Sequence, residues 1–249
     1  MASIATVFSY SYFIENHSFS VTKIRFDWGL GRRIVFISDT HIDSSVYNVT
    51  SFVESIDRLR PDMILHGGDH VSNVDGIDGA LDLLDKLSRI AEVYTVWGNH
   101  DIWSGLMDKS IIDRVRSIEN VYLLINQSTY CDGFWICGVN DPYTYMDNID
   151  KTLENVDSDE VKILLAHSPQ IIDEARYRVD LVLAGHTHGG QVNIPGIGAL
   201  WLPLPRKYYK YVQGLFNEEG LAMYVTRGIG TVFLPIRFNC PPELVIIEI

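Results

Sequence analysis

Residues 180–190 read Asp180-Leu181-Val182-Leu183-Ala184-Gly185-His186-Thr187-His188-Gly189-Gly190, "DLVLAGHTHGG". A short apolar run bounded by turn residues has the character of a strand buried on both faces. Two of the chain's eight histidines stand just beyond it. The same arrangement recurs four times. "VFIS" is followed by "DTH" (39–41), "ILHG" by "GDH" (68–70), "YTVW" by "GNHD" (98–101) and "ILLA" by "HS" (167–168). In open α/β sheets ligands bind in the crevice beyond the carboxyl ends of the strands, so polar residues placed there converge although they are far apart in sequence.

Between these runs the apolar period changes to that of a helix. Val49, Phe52, Val53, Ile56 and Leu59 keep helical spacing until Pro61; Ile77, Ala80, Leu81, Leu84 and Leu87 form a second face, and Ile111, Ile112, Val115 and Ile118 a third. "VYLLI" and "FWICGV" read as consecutive strands, "QIIDEARY" as a short helix, and "LAMYVT" and "ELVIIEI" as strands near the end. Strands alternating with helical crossovers make an α/β fold. At 249 residues, 47% hydrophobic and without repeat or low-complexity linker, residues 1–249 are expected to form one domain.

The charge balance, 20 Lys plus Arg against 32 Asp plus Glu, gives a net charge of −12 and argues against nucleic acid as a generic partner. A small anionic substrate stays compatible, because bound cations dominate their own surroundings. Cys131, Cys137 and Cys240 form no C-x-x-C pair and are odd in number, which fits a reducing, cytoplasmic setting; Cys137, inside an apolar strand, reads as a small buried hydrophobe. The stretch "MASIATVFSYSYFIENHS" has no basic residue before Lys23 and is too interrupted to span a bilayer, so it is expected to be an edge element.

The strand ends bring together Asp39, His41, Asp69, Asn99, His100, His167, His186 and His188. Imidazole with carboxylate suits borderline divalent ions such as Mn, Fe, Co or Zn, manganese being favoured here. The donors exceed the needs of one ion, whereas two ions sharing a carboxylate use them all. Gly68, Gly98 and Gly185 allow the backbone to approach such a centre closely. On an extended segment His186 and His188 would point the same way, each towards a different ion.

The blocks Asp39-Thr40-His41, Gly68-Asp69, Gly98-Asn99-His100-Asp101, His167 and Gly185-His186-Thr187-His188 resemble, in order, the five motifs of the calcineurin-like metallophosphoesterase superfamily. "GHTHGGQV", "GVNDPYT" and the final "RGIGTVFLPIRFNCPPELVIIEI" are similar to its YkuE-type and UDP-2,3-diacylglucosamine pyrophosphatase-like branch. The resemblance implies a sandwich of two mixed β-sheets flanked by helices, with a dinuclear centre at one edge. It implies Asp39, His41 and His188 on one ion, Asn99, His167 and His186 on the other, and Asp69 bridging. His100 would stabilise charge on the scissile phosphate or protonate the leaving group, with Asp101 orienting it. The activity implied is hydrolysis of a phosphomonoester, phosphodiester or pyrophosphate bond of a small phosphorylated substrate by a metal-bridging water. His70 after Asp69 and Asn140 before Asp141 depart from the pattern.

Other readings compete. A metal-binding scaffold without useful catalysis would keep the fold, although it has no need of His100. "WLPLPRKYYKYVQGLF" (201–216), with Arg206, Lys207 and Lys210, reads equally as a cover over a lipid or nucleoside substrate, a peripheral membrane contact, or an ordered loop packed beside the site. His17, His66 and His70 are expected to be surface, capping or core residues and not ligands. Arg237 is expected to give structural support. Asp141 and Tyr143 either line the mouth or merely form a turn.

Overall fold

The computed structural model describes residues 4–43, 49–157 and 159–249. In chain order the first half contains α1 (Ile4–Phe13), β1 (Ser20–Arg25), β2 (Arg33–Ile37), α2 (Val49–Asp57), β3 (Met63–His66), α3 (Ile77–Ser88), β4 (Glu92–Thr95), α4 (Asn99–Trp103), α5 (Lys109–Arg116) and β5 (Val121–Leu123). The second half contains β6 (Gln127–Cys131), β7 (Phe134–Gly138), α6 (Ile149–Leu153), β8 (Val161–Leu165), α7 (Ile172–Ala175) and β9 (Leu181–Ala184). It closes with β10 (Asn193–Ile194), β11 (Gly198–Ala199), β12 (Gly214–Glu218), β13 (Leu221–Val225) and β14 (Glu243–Glu248).

Two six-stranded mixed sheets result, in the orders β1-β14-β2-β3-β4-β5 and β12-β13-β9-β8-β7-β6. Strands β2 to β5 run parallel, as do β7, β8, β9 and β13; β14 against β2, β6 against β7 and β12 against β13 are antiparallel. Alternation along each strand divides its side chains between two layers. On β2, Ile34 and Phe36 enter the layer between the sheets with Leu65, Ile136, Ile163, Leu183 and Val245. Val35 and Ile37 turn outward to meet Phe52, Leu83, Leu84 and Val115 of α2, α3 and α5. The second sheet's outer face, including Leu164 and Val182, packs with Ile149, Ile172 and Tyr211. Each fully buried aliphatic or aromatic chain contributes about 1.5–3 kcal/mol from water exclusion.

The α/β sandwich and the three crossover helices follow the sequence reading, with differences at the ends of the chain and in two short strands. The N-terminal stretch, beyond its first three residues, which lie outside the described residues, is helix α1 followed by a 3₁₀ turn at Glu15–His17; the edge strand is β1, paired with β14. A strand, β6, stands between the two runs read as consecutive, because "QSTYC" occupies an edge and lacks the apolar run of a central strand. Residues 214–216, read within a loop, begin edge strand β12. Among the described residues, no helix is long and apolar enough to cross a membrane.

Candidate metal centre

The five strands that end in polar blocks all release their chains at the same rim of the sandwich. At these ends Asp39, His41, Asp69, His186 and His188 have positive φ, between 46° and 71°. Few residues other than glycine adopt this region, aspartate and histidine being among those that tolerate it best, and such conformations cluster at functional sites. His186 and His188 therefore do face one pocket, but not through the alternation of an extended segment. Thr187 between them is helical in φ and ψ, and a short 3₁₀ turn begins at His188.

Two groups share Asp69. In the first, His41 Nε2 lies 3.1 Å from His188 Nε2, and His188 Nε2 lies 3.6 Å from Asp39 Oδ1. In the second, His167 Nε2 lies 3.1 Å from both Asn99 Oδ1 and His186 Nδ1. Asp69 Oδ2 stands between the groups, 3.4 Å from His41 Nε2 and 3.2 Å from His167 Nε2. The sets Asp39/His41/His188 and Asp69/His167/His186 each converge closely enough to hold an ion, and His100 shares a third set with His41 and Asp69.

The orientation of the rings fits cations and not a self-contained hydrogen-bond network. The Gly67 carbonyl accepts from His167 Nδ1 at 2.9 Å, and the Pro203 carbonyl from His186 Nε2 at 2.8 Å, so each ring spends one N–H outward and aims its other nitrogen inward, that of His167 becoming a lone-pair donor once a cation displaces its proton. His41 and His188 have no Nδ1 partner among the described residues and turn Nε2 inward. Burial holds His41, His186 and His188 well below the usual imidazole range, with neighbouring charges adding to it, so all three are neutral at pH 7, as ligands must be. Burial likewise pushes Asp39 up to about 6. Burial would also depress His167, but Asp69 and then Asp39 and Asp141 outweigh it and raise the ring well above its ordinary value. A buried cluster of this composition fits divalent metal ions, whose charge would offset these costs.

The backbone lies close enough to explain the glycines. A Cβ on Gly98 would come 2.6 Å from Asp69 N and collide with Asp69 Oδ1, and one on Gly185 would collide with Ser38 Oγ and Asp39 Oδ2. Arg237 is fully buried and donates to the carbonyls of Arg227, Gly230 and Cys240. Gly230 N in turn donates to Asp39 O at 2.6 Å, so Arg237 supports the loop under the first group, in line with the structural role expected for it.

Asp101 requires a correction. Its carboxylate makes no bond to the His100 ring: Oδ1 accepts from His70 N (2.8 Å) and Val71 N (3.2 Å), and Oδ2 from His70 Nδ1 (2.9 Å) and Gly98 N (3.0 Å). The reason is local, since Asp101 is the third residue of the helix capped by Gly98 and its side chain folds back on that turn. Burial alone would raise Asp101, but the His70 contact and the Gly98 N–H bring it below the usual carboxylate range. The His100 ring is held instead by the Ser72 carbonyl, which accepts from Nδ1 at 3.3 Å, while Asp69 Oδ1 accepts from His100 N at 2.8 Å.

His70 itself is buried, 2.7 Å from Thr95 Oγ1 and stacked on His66 at 3.9 Å, so both histidines are structural, as expected; His17 is exposed. Cys137 is buried and all three cysteines are unpaired. Asp141 both forms a turn, accepting from Tyr143 N and Thr144 N, and lies close to the centre; Tyr143 lines the mouth, 4.5 Å from the His186 ring. Asn140 turns to Met107. Lys207 and Lys210 are paired with Asp173 and Glu218. What the sequence reading missed are Trp103 and Phe233 at the mouth and the carbonyls of Gly67, Ser72 and Pro203. Backbone acceptors leave no residue-type signal, although Trp103, two residues after Asp101, was open to notice as a large aromatic on an exposed turn.

The sequence pattern of the family described as "Calcineurin-like phosphoesterase" matches residues 32–190. Phosphodiesterase YaeI of Escherichia coli is 30% identical over 100% of this chain and 95% of its own. The metallophosphoesterase YkuE of Bacillus subtilis is 26% identical over 96% of this chain and 88% of its own, which supports the YkuE-type branch. A metallophosphoesterase of Helicobacter pylori is 30% identical over 85% of this chain, and the chain spans 58% of that relative's length. A crystallised dimetal phosphatase of Danio rerio shares the fold, with a TM-score of 0.52 at 12% identity over 88% of this chain and 99% of its own.

Proposed function

This chain belongs to the calcineurin-like phosphoesterase family, and from that premise we propose that it is a dinuclear metal-dependent phosphoesterase, acting as one domain over residues 1–249. The observation that carries the reading is Asp69 Oδ2 placed within 3.4 Å of His41 Nε2 on one side and 3.2 Å of His167 Nε2 on the other, where one oxygen could serve two ions. Asp39, His41 and His188 would hold one ion; Asn99, His167 and His186 would hold the other. Two divalent ions there, manganese favoured over iron, cobalt and zinc, would supply Lewis acidity and a lowered water pKa for hydrolysis without a covalent enzyme intermediate.

The protein's own groups do the rest. His100, fixed by the Ser72 carbonyl beside the cluster, stabilises charge or delivers a proton to the departing oxygen, a role worth roughly 10²–10⁴-fold. The Gly67 and Pro203 carbonyls lock the tautomers of His167 and His186. Of monoester, diester and pyrophosphate, the similarity to a relative named phosphodiesterase favours the diester.

The test is hydrolysis of chromogenic monoester and diester phosphates by metal-free protein refilled separately with Mn, Co, Zn, Ni or Mg, beside Asp69→Asn and His100→Ala. Recovery with a transition metal, loss in the first variant and a fall of at least a hundredfold in the second are expected. Two metals bound with no turnover of either ester would favour the scaffold reading. A second reading rests on the N-terminal segment, where Phe8 and Phe13 of α1 and Ile14 just after it are exposed and would favour peripheral contact with a lipid surface; failure to float with liposomes would remove it. The unpaired cysteines support a reducing, cytoplasmic compartment.

A further inference from the structure

The mouth of the metal centre is walled by Trp103, Tyr143, Trp201 and Phe233. A second cavity of about 190 Å³ opens from the same mouth, sharing His188, Trp201, Val232 and Phe233 with it and continuing along Val192, Leu200 and Leu234. Apart from the site histidines, no described residue lining either space is cationic. The buried Arg237 guanidinium faces backbone carbonyls, and Lys207 and Lys210 face Asp173 and Glu218. Among the described residues lining these two spaces, a second phosphate would meet no side-chain cation beyond the metal centre.

Phe233 is displayed over this groove by a specific device. It has φ of 61°, a left-handed conformation that is a genuine outlier for a bulky residue, and is 85% exposed. The side chain of Gln191 holds the backbone on both sides of it: Nε2 donates to Val232 O (3.1 Å) and Leu234 O (2.8 Å), while Oε1 accepts from Val232 N (2.8 Å). Trp201 packs edge-on against the Phe233 ring at 5.4 Å. Three hydrogen bonds thus hold a strained turn whose visible product is an aromatic ring presented at the junction of the metal centre and an apolar groove. Strain that persists at a ligand-facing loop is expected where the loop's shape is used.

We propose that the groove receives the uncharged, apolar arm of the substrate, making the preferred substrate a phosphodiester with one alkyl or acyl-bearing substituent and disfavouring nucleotides and polyphosphates, with Phe233, Trp201, Leu200 and Leu234 as specificity residues and Gln191 as a positioning residue. The scissile phosphate would lie at the metal centre, and the arm would leave the mouth under the Phe233 ring. This rests on the phosphoesterase reading above and narrows it.

Two measurements separate the two. On manganese-loaded enzyme, alkyl p-nitrophenyl phosphates from methyl to decyl, each below its micelle-forming concentration, are compared with thymidine 5′-p-nitrophenyl phosphate. The non-hydrolysable methyl alkylphosphonates of the same chain lengths are titrated by calorimetry, which needs no turnover. Affinity and kcat/KM are expected to rise about two- to fourfold per methylene over the first carbons, with the thymidine ester below the octyl one. Phe233→Ala, at an exposed position, and Gln191→Ala should both flatten that slope, the second with Phe233 still in place. A flat slope in the unaltered protein, an unchanged slope in both variants, or binding only to diesters presented in vesicles would overturn the groove assignment. Absence of hydrolysis across the whole series with a steep calorimetric slope would instead refute the catalytic reading and leave the groove standing.

Discussion

Asp101→Asn separates two accounts of one residue. If Asp101 orients His100, as its place in the motif implies, the substitution should leave stability intact and lower kcat by a hundredfold or more. The contacts predict the opposite division. Asparagine can keep Oδ1 where His70 N and Val71 N donate, but its amide nitrogen then replaces Oδ2, which accepts from Gly98 N at 3.0 Å and His70 Nδ1 at 2.9 Å. His70 can change tautomer and accept, whereas the Gly98 N–H cannot, so one buried donor is left facing another. Losing a hydrogen bond to a charged acceptor costs about 1.5–3 kcal/mol and a buried unsatisfied group about 1–3 kcal/mol. These costs overlap, so a loss of about 2–4 kcal/mol is expected. The Gly98 turn also presents Asn99, so affinity for the second ion should fall. Urea unfolding of metal-free protein gives the first quantity, metal titration the second, and kcat at saturating metal should change less than tenfold. A variant within 0.5 kcal/mol of the parent but crippled in kcat would refute the assignment.

Further expectations concern packing, metal access and pH. Gly185→Ala should cost stability and metal affinity together, because the new methyl meets Ser38 Oγ and Asp39 Oδ2; full two-ion occupancy in that variant would contradict the close approach. Phe36→Ala, in the layer between the sheets, should lose about 3–5 kcal/mol with metal stoichiometry unchanged in what remains folded, read by denaturant titration. Burial pushes Asp141 up to about 6 from 3.8, with Asp69 adding and His167 opposing. A carboxyl raised on folding favours the folded state fully at low pH and loses that contribution as pH rises through about 6. Metal-free Asp141→Asn should therefore lose less stability than the parent between pH 4 and pH 8, the difference being at most about 3 kcal/mol. Equal losses in thermal unfolding would contradict the shift.

How much was legible follows from where information resides in the chain. Strand ends were readable because "VFI", "ILLA" and "LVLA" are buried on both faces and so are apolar throughout, and because each is followed by residues whose chemistry differs from its own. Edge strand β6 was not, since "QSTYC" faces solvent in part and reads as loop. The candidate ligands could be picked out because imidazole, carboxylate and amide are rare together at such places. The partner of Asp101 could not, because sequence adjacency to His100 suggested a contact that the helical turn carries away from it, towards a histidine 31 positions earlier.

The sequence by itself determined the α/β alternation, the inventory of donors and the family motifs, since these depend on residue type, period and order. Only the tertiary structure decided which donors meet at Asp69, which carbonyls fix the ring nitrogens, and that Gln191 props Phe233 over an uncharged groove. Those facts depend on left-handed turns and backbone oxygens brought together from separate strands. A residue's identity specifies what it can bond, while the packing of two sheets determines what comes within 3 Å of it.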